Sequence, residues 1–226
     1  MVIFNARIIQ APLLAALLVA SACAPSASQQ PEVPKGDGYD FFVLSLSWSP
    51  SYCAAEGPDA NRQQCAAGRD HAFVVHGLWP QFESGWPEFC DSAEPARVPD
   101  ATVQQMLDIM PSAGLVGHQW RKHGSCSGMS QRDYFSVVRA ARERIEVPDR
   151  FARMSERVEL EPDDVEADFM SANPGMPEDG VAVTCDGRFL REVRICMTKN
   201  LEFRSCEEVD ARACRMSRAL MPAPGG

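Results

Sequence analysis

The sequence predicts an α+β protein cross-linked by disulfides, and three observations carry that prediction. Apolar residues alternate with a period of two in some segments and recur at helical spacing in others, without βαβ repetition. At 226 residues the chain has the length of one principal domain with short appendages. Nine cysteines among 17 prolines and 15 glycines point to a loop-rich chain from an oxidising compartment.

From Tyr39 to Trp48, Phe42, Leu44, Leu46 and Trp48 alternate with Phe41, Val43, Ser45 and Ser47, which predicts a strand with one buried face. The β-rich run His71–His76, closed by Gly77 and Pro80, predicts a second core strand with His76 at its C-terminal edge. Val103, Met106, Leu107 and Met110 repeat at helical spacing after Asp100 until Pro111 stops the run. Ser130 with Asp133 resembles a capping box. It opens what should be the longest helix, striped by Tyr134, Phe135, Val137, Val138, Ala141 and Ile145. A further short helix is expected after Pro162. Val181–Cys185 and Phe189–Met197 read as two strands joined by a tight turn at Asp186-Gly187.

Residues 1–22 hold one charge, Arg7, then the apolar stretch Ala11–Val19 and the small residues Ala20-Ser21-Ala22, the pattern of a signal peptide. The stretch is too short for a membrane-spanning helix, which takes roughly 20 residues. Cys23 follows directly and resembles the lipidated cysteine of a bacterial lipoprotein; plain cleavage after Ala22 is the alternative. Parity favours lipidation, because without Cys23 an even eight cysteines are left to pair. Residues 23–37, rich in Ala, Pro, Ser and Gln, read as a flexible tether, and 38–226 as the folded domain. The expected location is therefore periplasmic or outer-membrane-anchored, or else secreted, with membrane contact only through Cys23. The formal charge of -9 argues against a broad basic face wrapping duplex nucleic acid, so any polyanion must be engaged locally.

Three of the four histidines fall in two short blocks, His76-Gly77-Leu78-Trp79-Pro80-Gln81 and His118-Gln119-Trp120-Arg121-Lys122-His123-Gly124-Ser125-Cys126. If the second block is helical, Lys122, Gln119 and His123 lie about 40°, 100° and 140° around the axis from His118, all on one arc. Trp120, at about 200°, is free to pack inward, and Gly124 is placed to cap the helix. Two imidazoles with ordinary pKa values of about 6.5 can serve as acid and base together in mildly acidic water. Cleavage of an RNA phosphodiester asks for that pair: a base for the 2'-hydroxyl, an acid for the leaving 5'-oxygen, and a cation for the phosphorane charge. It needs no metal, and DNA, lacking the nucleophile, is not a substrate. Taken alone, His76 reads equally well as a strand-end histidine bonded to backbone; the second block supplies its partner. A zinc site from His118 and His123 is disfavoured by their five-residue spacing.

Both blocks, in this order, resemble the two active-site segments of the ribonuclease T2 family. Tyr39-Asp40-Phe41-Phe42-Val43-Leu44-Ser45-Leu46-Ser47-Trp48-Ser49-Pro50 is similar to the family's opening strand, and Trp86-Pro87-Glu88-Phe89-Cys90 to the segment after the first block. The resemblance covers roughly Tyr39 to Cys214. It implies an α+β fold with a mostly antiparallel central sheet flanked by helices, endoribonuclease activity on single-stranded RNA with weak base specificity, and no cofactor or metal. Carried over by residue, His123 is the general base and His76 the general acid, while Lys122 and His118 hold the phosphate. Trp79 is the base-stacking platform, with Gln81 and Trp86 as further substrate-binding candidates. Gln119 stands where the family usually has glutamate. An amide keeps the hydrogen bonds and loses the charge, which implies slower catalysis and a lower pKa for the neighbouring imidazole.

Spacing leaves about a hundred possible pairings for eight cysteines. The resemblance implies Cys90–Cys126, Cys185–Cys214 and Cys196–Cys206, with Cys53–Cys65 by remainder. The function expected is an exported, monomeric endoribonuclease that gives 2',3'-cyclic phosphate and then 3'-phosphate ends. The rival is a catalytically weakened RNA-binding or interaction lipoprotein of the same fold, and a third reading is a metal-binding surface protein.

Overall fold

The structure, a computed structural model, describes residues 1–2 and 33–225. The expected signal segment beyond Val2, Cys23 and most of the tether lie outside the described residues. In chain order the elements are β1 (Phe41–Trp48), α1 (Ser49–Glu56), α2 (Arg62–Cys65), β2 (Phe73–Gln81), α3 (Asp100–Met106), α4 (Ala113–Lys122) and α5 (Gln131–Glu143). There follow α6 (Asp149–Ala152), β3 (Val158–Leu160), α7 (Pro162–Ala172), β4 (Val181–Asp186), β5 (Phe189–Met197), α8 (Glu207–Asp210) and β6 (Ala219–Met221). The strands form one sheet in the order β2-β1-β5-β6-β3, with β4 also paired to β5. Every pairing is antiparallel except the short contact of β5 with β6. The architecture is α+β, a mostly antiparallel sheet flanked by helices.

β1 departs from its expectation, because both of its faces are buried. Phe42, Leu44, Leu46 and Trp48 enter the main core under the helices, while Phe41 and Val43 join Cys196 and Cys206 in a smaller cluster on the other side. β2 also runs further than predicted, through Gly77 and Pro80 to Gln81. Proline is tolerated there because β2 is an edge strand, where a missing amide donor leaves no neighbour unsatisfied. His76 is consequently a mid-strand residue. α3 ends at Met106, and the chain then turns so that the Ile109 carbonyl accepts from the Val75 amide at 2.8 Å; Met110 stays buried without helical geometry.

α5 begins where capping predicts: the Ser130 hydroxyl accepts from the Asp133 amide and donates to the Asp133 carboxylate. Its stripe of Tyr134, Phe135, Val137, Val138 and Ala141 is buried, at about 1.5–3 kcal/mol for each large apolar side chain. α5 is the longest helix among the described residues. α7, started by Pro162, reaches 11 residues and is longer than the short helix expected. Disulfides join Cys53–Cys65, Cys90–Cys126, Cys185–Cys214 and Cys196–Cys206. Among the described residues no helix is long and apolar enough to cross a membrane.

Candidate active site

A cleft of about 280 Å³ opens on the face of the sheet opposite the main core, floored by Phe41 and Val43. Two β-bulges aim its polar residues. On β2 the register slips between Ser45 and Leu46 of β1, which leaves His76 without a partner. Before the bulge Phe73 and Val75 face the core; after it Leu78 does, so His76, Trp79 and Gln81 share the cleft face despite their uneven spacing. On β5 the register slips at Arg191, and Glu192 and Arg194 turn away from the core while Leu190, Val193 and Ile195 face it.

His76 and Glu192 meet across β1. Their strands flank it, and the small side chains of Ser45 and Ser47 leave the space between them open. The Nδ1 of His76 hydrogen-bonds the Oε1 of Glu192, and Arg194 donates to the other carboxylate oxygen from Nε at 3.0 Å and Nη2 at 2.8 Å. Burial opposes ionisation of Glu192, but the hydrogen bond and charge of His76, with those of Arg194, outweigh it and hold the carboxyl at about 2. An ionised Glu192 accepts the proton on Nδ1, which assigns the tautomer and leaves Nε2 for the cleft.

α4 carries the second block. Ser112 caps its N-terminus, and the cleft is lined by His118, Gln119 and Lys122, with His123 just past the helix end. Trp120 points inward, its indole N–H donating to the Pro95 carbonyl. Gly124 is not the left-handed cap its position suggests; it opens a short 3₁₀ turn. Its requirement is space, since a Cβ there would lie 2.5 Å from the Trp120 ring and 2.8 Å from that of Tyr134.

His123 is 5% exposed and its Nδ1 has no hydrogen-bond partner. Burial, reinforced by the charges of Lys122, His76 and His118, pushes its pKa down to about 3. His118 is pushed down as well, by desolvation and then by Lys122, Arg121 and His76, against the opposite pull of Glu88. Lys122 pairs with Glu88 at 3.1 Å.

Trp79 sits against both imidazoles, edge-on to His76 with ring centroids 5.5 Å apart and stacked on His123 at 5.3 Å. The guanidinium of Arg194 also lies 5.1 Å from its ring. Its indole N–H donates to the Oε1 of buried Gln119 at 2.9 Å. A Cβ at Gly77 would fall 2.0 Å from that oxygen, so this close approach needs glycine. The Gln119 amide thus anchors the indole that contacts both histidines. Gln81 is buried and bonded to the Pro80 carbonyl, while Trp86 is exposed at the mouth, donating to Glu88 and stacked under Arg212.

All eight side chains read from the sequence as catalytic or substrate-binding line this one cleft. Sequence reasoning missed Glu192, Arg194 and Glu88. A signal was present for the first two, because charged residues alternating with Val193 and Ile195 in a strand pattern share one face. Among the described residues no group of three or more His, Cys, Asp or Glu is arranged to hold a metal ion.

The profile of the Ribonuclease T2 family matches residues 39–206. A ribonuclease of Aeromonas hydrophila is 34% identical over 193 residues, spanning 83% of this chain and 82% of its own. Among solved structures, an RNase-related protein from Calystegia sepium superposes with a TM-score of 0.64 at 19% identity, covering 83% of this chain and 99% of that one. RNase NT, solved in complex with 5'-AMP, gives 0.63 at 23% identity over 83% of this chain and 99% of its own. These last two speak to the fold. The profile match and the Aeromonas relative speak to descent: the chain belongs to the Ribonuclease T2 family and is an RNA-cleaving endoribonuclease.

Proposed function

We propose that the protein cleaves single-stranded RNA by transphosphorylation, with His123 as base and His76 as acid and without a metal ion. The neutral imidazole of His123 takes the proton of the 2'-hydroxyl, and the 2'-oxygen attacks phosphorus. The bond to the 5'-oxygen breaks as His76 delivers its proton there, giving a 2',3'-cyclic phosphate. Water then enters with the two roles reversed and leaves a 3'-phosphate. Lys122 and the ring N–H of His118 neutralise the phosphorane oxygens.

The observation that carries this reading is the contrast between the two imidazoles that touch one indole. His123 is buried and held neutral, as a base must be; His76 is bonded to a buried carboxylate that offers a counter-charge to its protonated form. The chain is proposed to act as a monomer outside the cytoplasm. That location is supported by eight cysteines engaged in disulfides, which leaves Cys23 as the one for a lipid anchor.

The test is incubation of the purified protein with RNA and with DNA in EDTA between pH 5 and 7, followed by identification of the 3' ends. Cyclic phosphate from RNA alone is the expected product. Metal-dependent cutting or cutting of DNA rejects the mechanism, and RNA binding without cutting favours the weakened-lipoprotein reading.

A further inference from the structure

Apart from Met1 and Val2, the large apolar side chains exposed among the described residues are Phe82, Trp86 and Phe89, all in the loop between β2 and α3. Phe82 and Trp86 line the cleft. Phe89 does not, and at 60% exposure it is the most solvent-facing of the three. Its backbone is also unusual. Two non-glycine residues among those described have positive φ, Phe89 at 49° and Leu201 at 61°. Leu201 gains core burial from that conformation, with 1% of its surface exposed. Phe89 accepts the same strain and keeps its ring largely in water, so the conformation brings the ring no core burial.

The strain is held from the catalytic side. The Phe89 amide donates to the Lys122 carbonyl at 2.9 Å, and the next residue, Cys90, is bonded to Cys126. The ring is thereby fixed beside α4, edge-on to the His118 imidazole at 6.3 Å. His118 and Lys122 are the groups assigned to phosphate, so a ring beside them is placed to meet a further nucleotide of a strand longer than a dinucleotide. A net charge of -9 argues against a broad basic face that would hold RNA outside the cleft. Stacking on a flat apolar ring needs no such charge and accepts any base.

We propose that Phe89 is a stacking platform for a nucleobase of single-stranded RNA beyond the two that flank the scissile phosphate, a subsite outside the cleft. The proposal rests on the nuclease reading above and extends it to substrates longer than a dinucleotide. It makes chain length, rather than base identity, the property this position reads.

The experiment compares kcat/KM on a dinucleoside monophosphate and on six-residue oligoribonucleotides for the wild type, Phe89→Leu and Phe89→Trp. One lost stack is expected to cut the advantage of the longer substrate about 5- to 100-fold in Phe89→Leu. Phe89→Trp retains it. A leucine preserves apolar contact without a π-face, so a merely structural role leaves the length preference of Phe89→Leu intact, and that result overturns the proposal. Binding of an uncleavable 2'-deoxy hexanucleotide should weaken in parallel. Wild-type protein that cuts neither substrate refutes the nuclease reading itself; wild-type cutting with the same length dependence in all three proteins refutes this subsite alone.

Discussion

Gln119 and Glu192 divide between them the work of holding the two imidazoles. Gln119 keeps Trp79 in place by one hydrogen bond but brings no charge to His123, whose pKa of about 3 is set first by burial. A base held so low stays deprotonated well into acid, so kcat/KM on RNA should persist below pH 5. Gln119→Glu retains an oxygen for the indole N–H and adds a negative charge that favours the imidazolium of His123. The acidic limb of the pH–rate profile should therefore move to higher pH, and an unmoved limb contradicts this account. Glu192 acts on the other side. Glu192→Gln removes the counter-charge of His76, so kcat/KM should fall about 100-fold or more. An undiminished kcat/KM would show that Glu192 only supports packing.

At the scale of elements, the site depends on where strands and helices depart from ideal patterns. The bulges at His76 and Arg191 each reverse the parity of a strand, and period-two reading predicts neither, because a single inserted residue looks locally like any other. Gly77 and Pro80 read as strand breakers and predict an end at His76, yet β2 continues to Gln81 because an edge strand tolerates both. The helical arc of His118, Gln119 and Lys122 was legible, because the 3.6-residue period is set by the chain itself and needs no partner. The reason for Gly124 was not: the Trp120 ring from α4 and the Tyr134 ring from α5 fill the place of a Cβ. Gly124→Ala should cost about 1–3 kcal/mol in urea unfolding and lower activity by displacing His123, which follows Lys122 at this junction. Unfolding at the wild-type midpoint would show that the packing yields.

Across the whole molecule, half-buried Glu166 and buried Glu192 pull stability in opposite directions with pH. Glu166, accepting from the Val183 amide, is pushed up to about 7, chiefly by burial and then by Asp163, Asp210 and Glu178. Its folded pKa lies above the unfolded value, so its contribution is full below about pH 4.5 and is lost as pH rises through 7. Glu192 has the reverse sign: its contribution is present above about pH 4.5 and is lost as pH falls toward 2. Glu166→Gln should therefore raise Tm relative to wild type progressively between pH 5 and 8 and match it below about pH 4.5. Parallel Tm curves across that range would remove Glu166 from the pH dependence. By itself the sequence determined the α+β class, the two histidine blocks, the shared arc on α4 and the acidic charge that argues against a broad basic RNA-binding face. Each of these is a matter of local period or composition. Only the tertiary structure decided that His76 meets Glu192 across the serines of β1, and that Phe89 is held out in water beside His118. Those contacts join segments far apart in the chain, and strand order, bulges and helix packing set them rather than any neighbour in sequence.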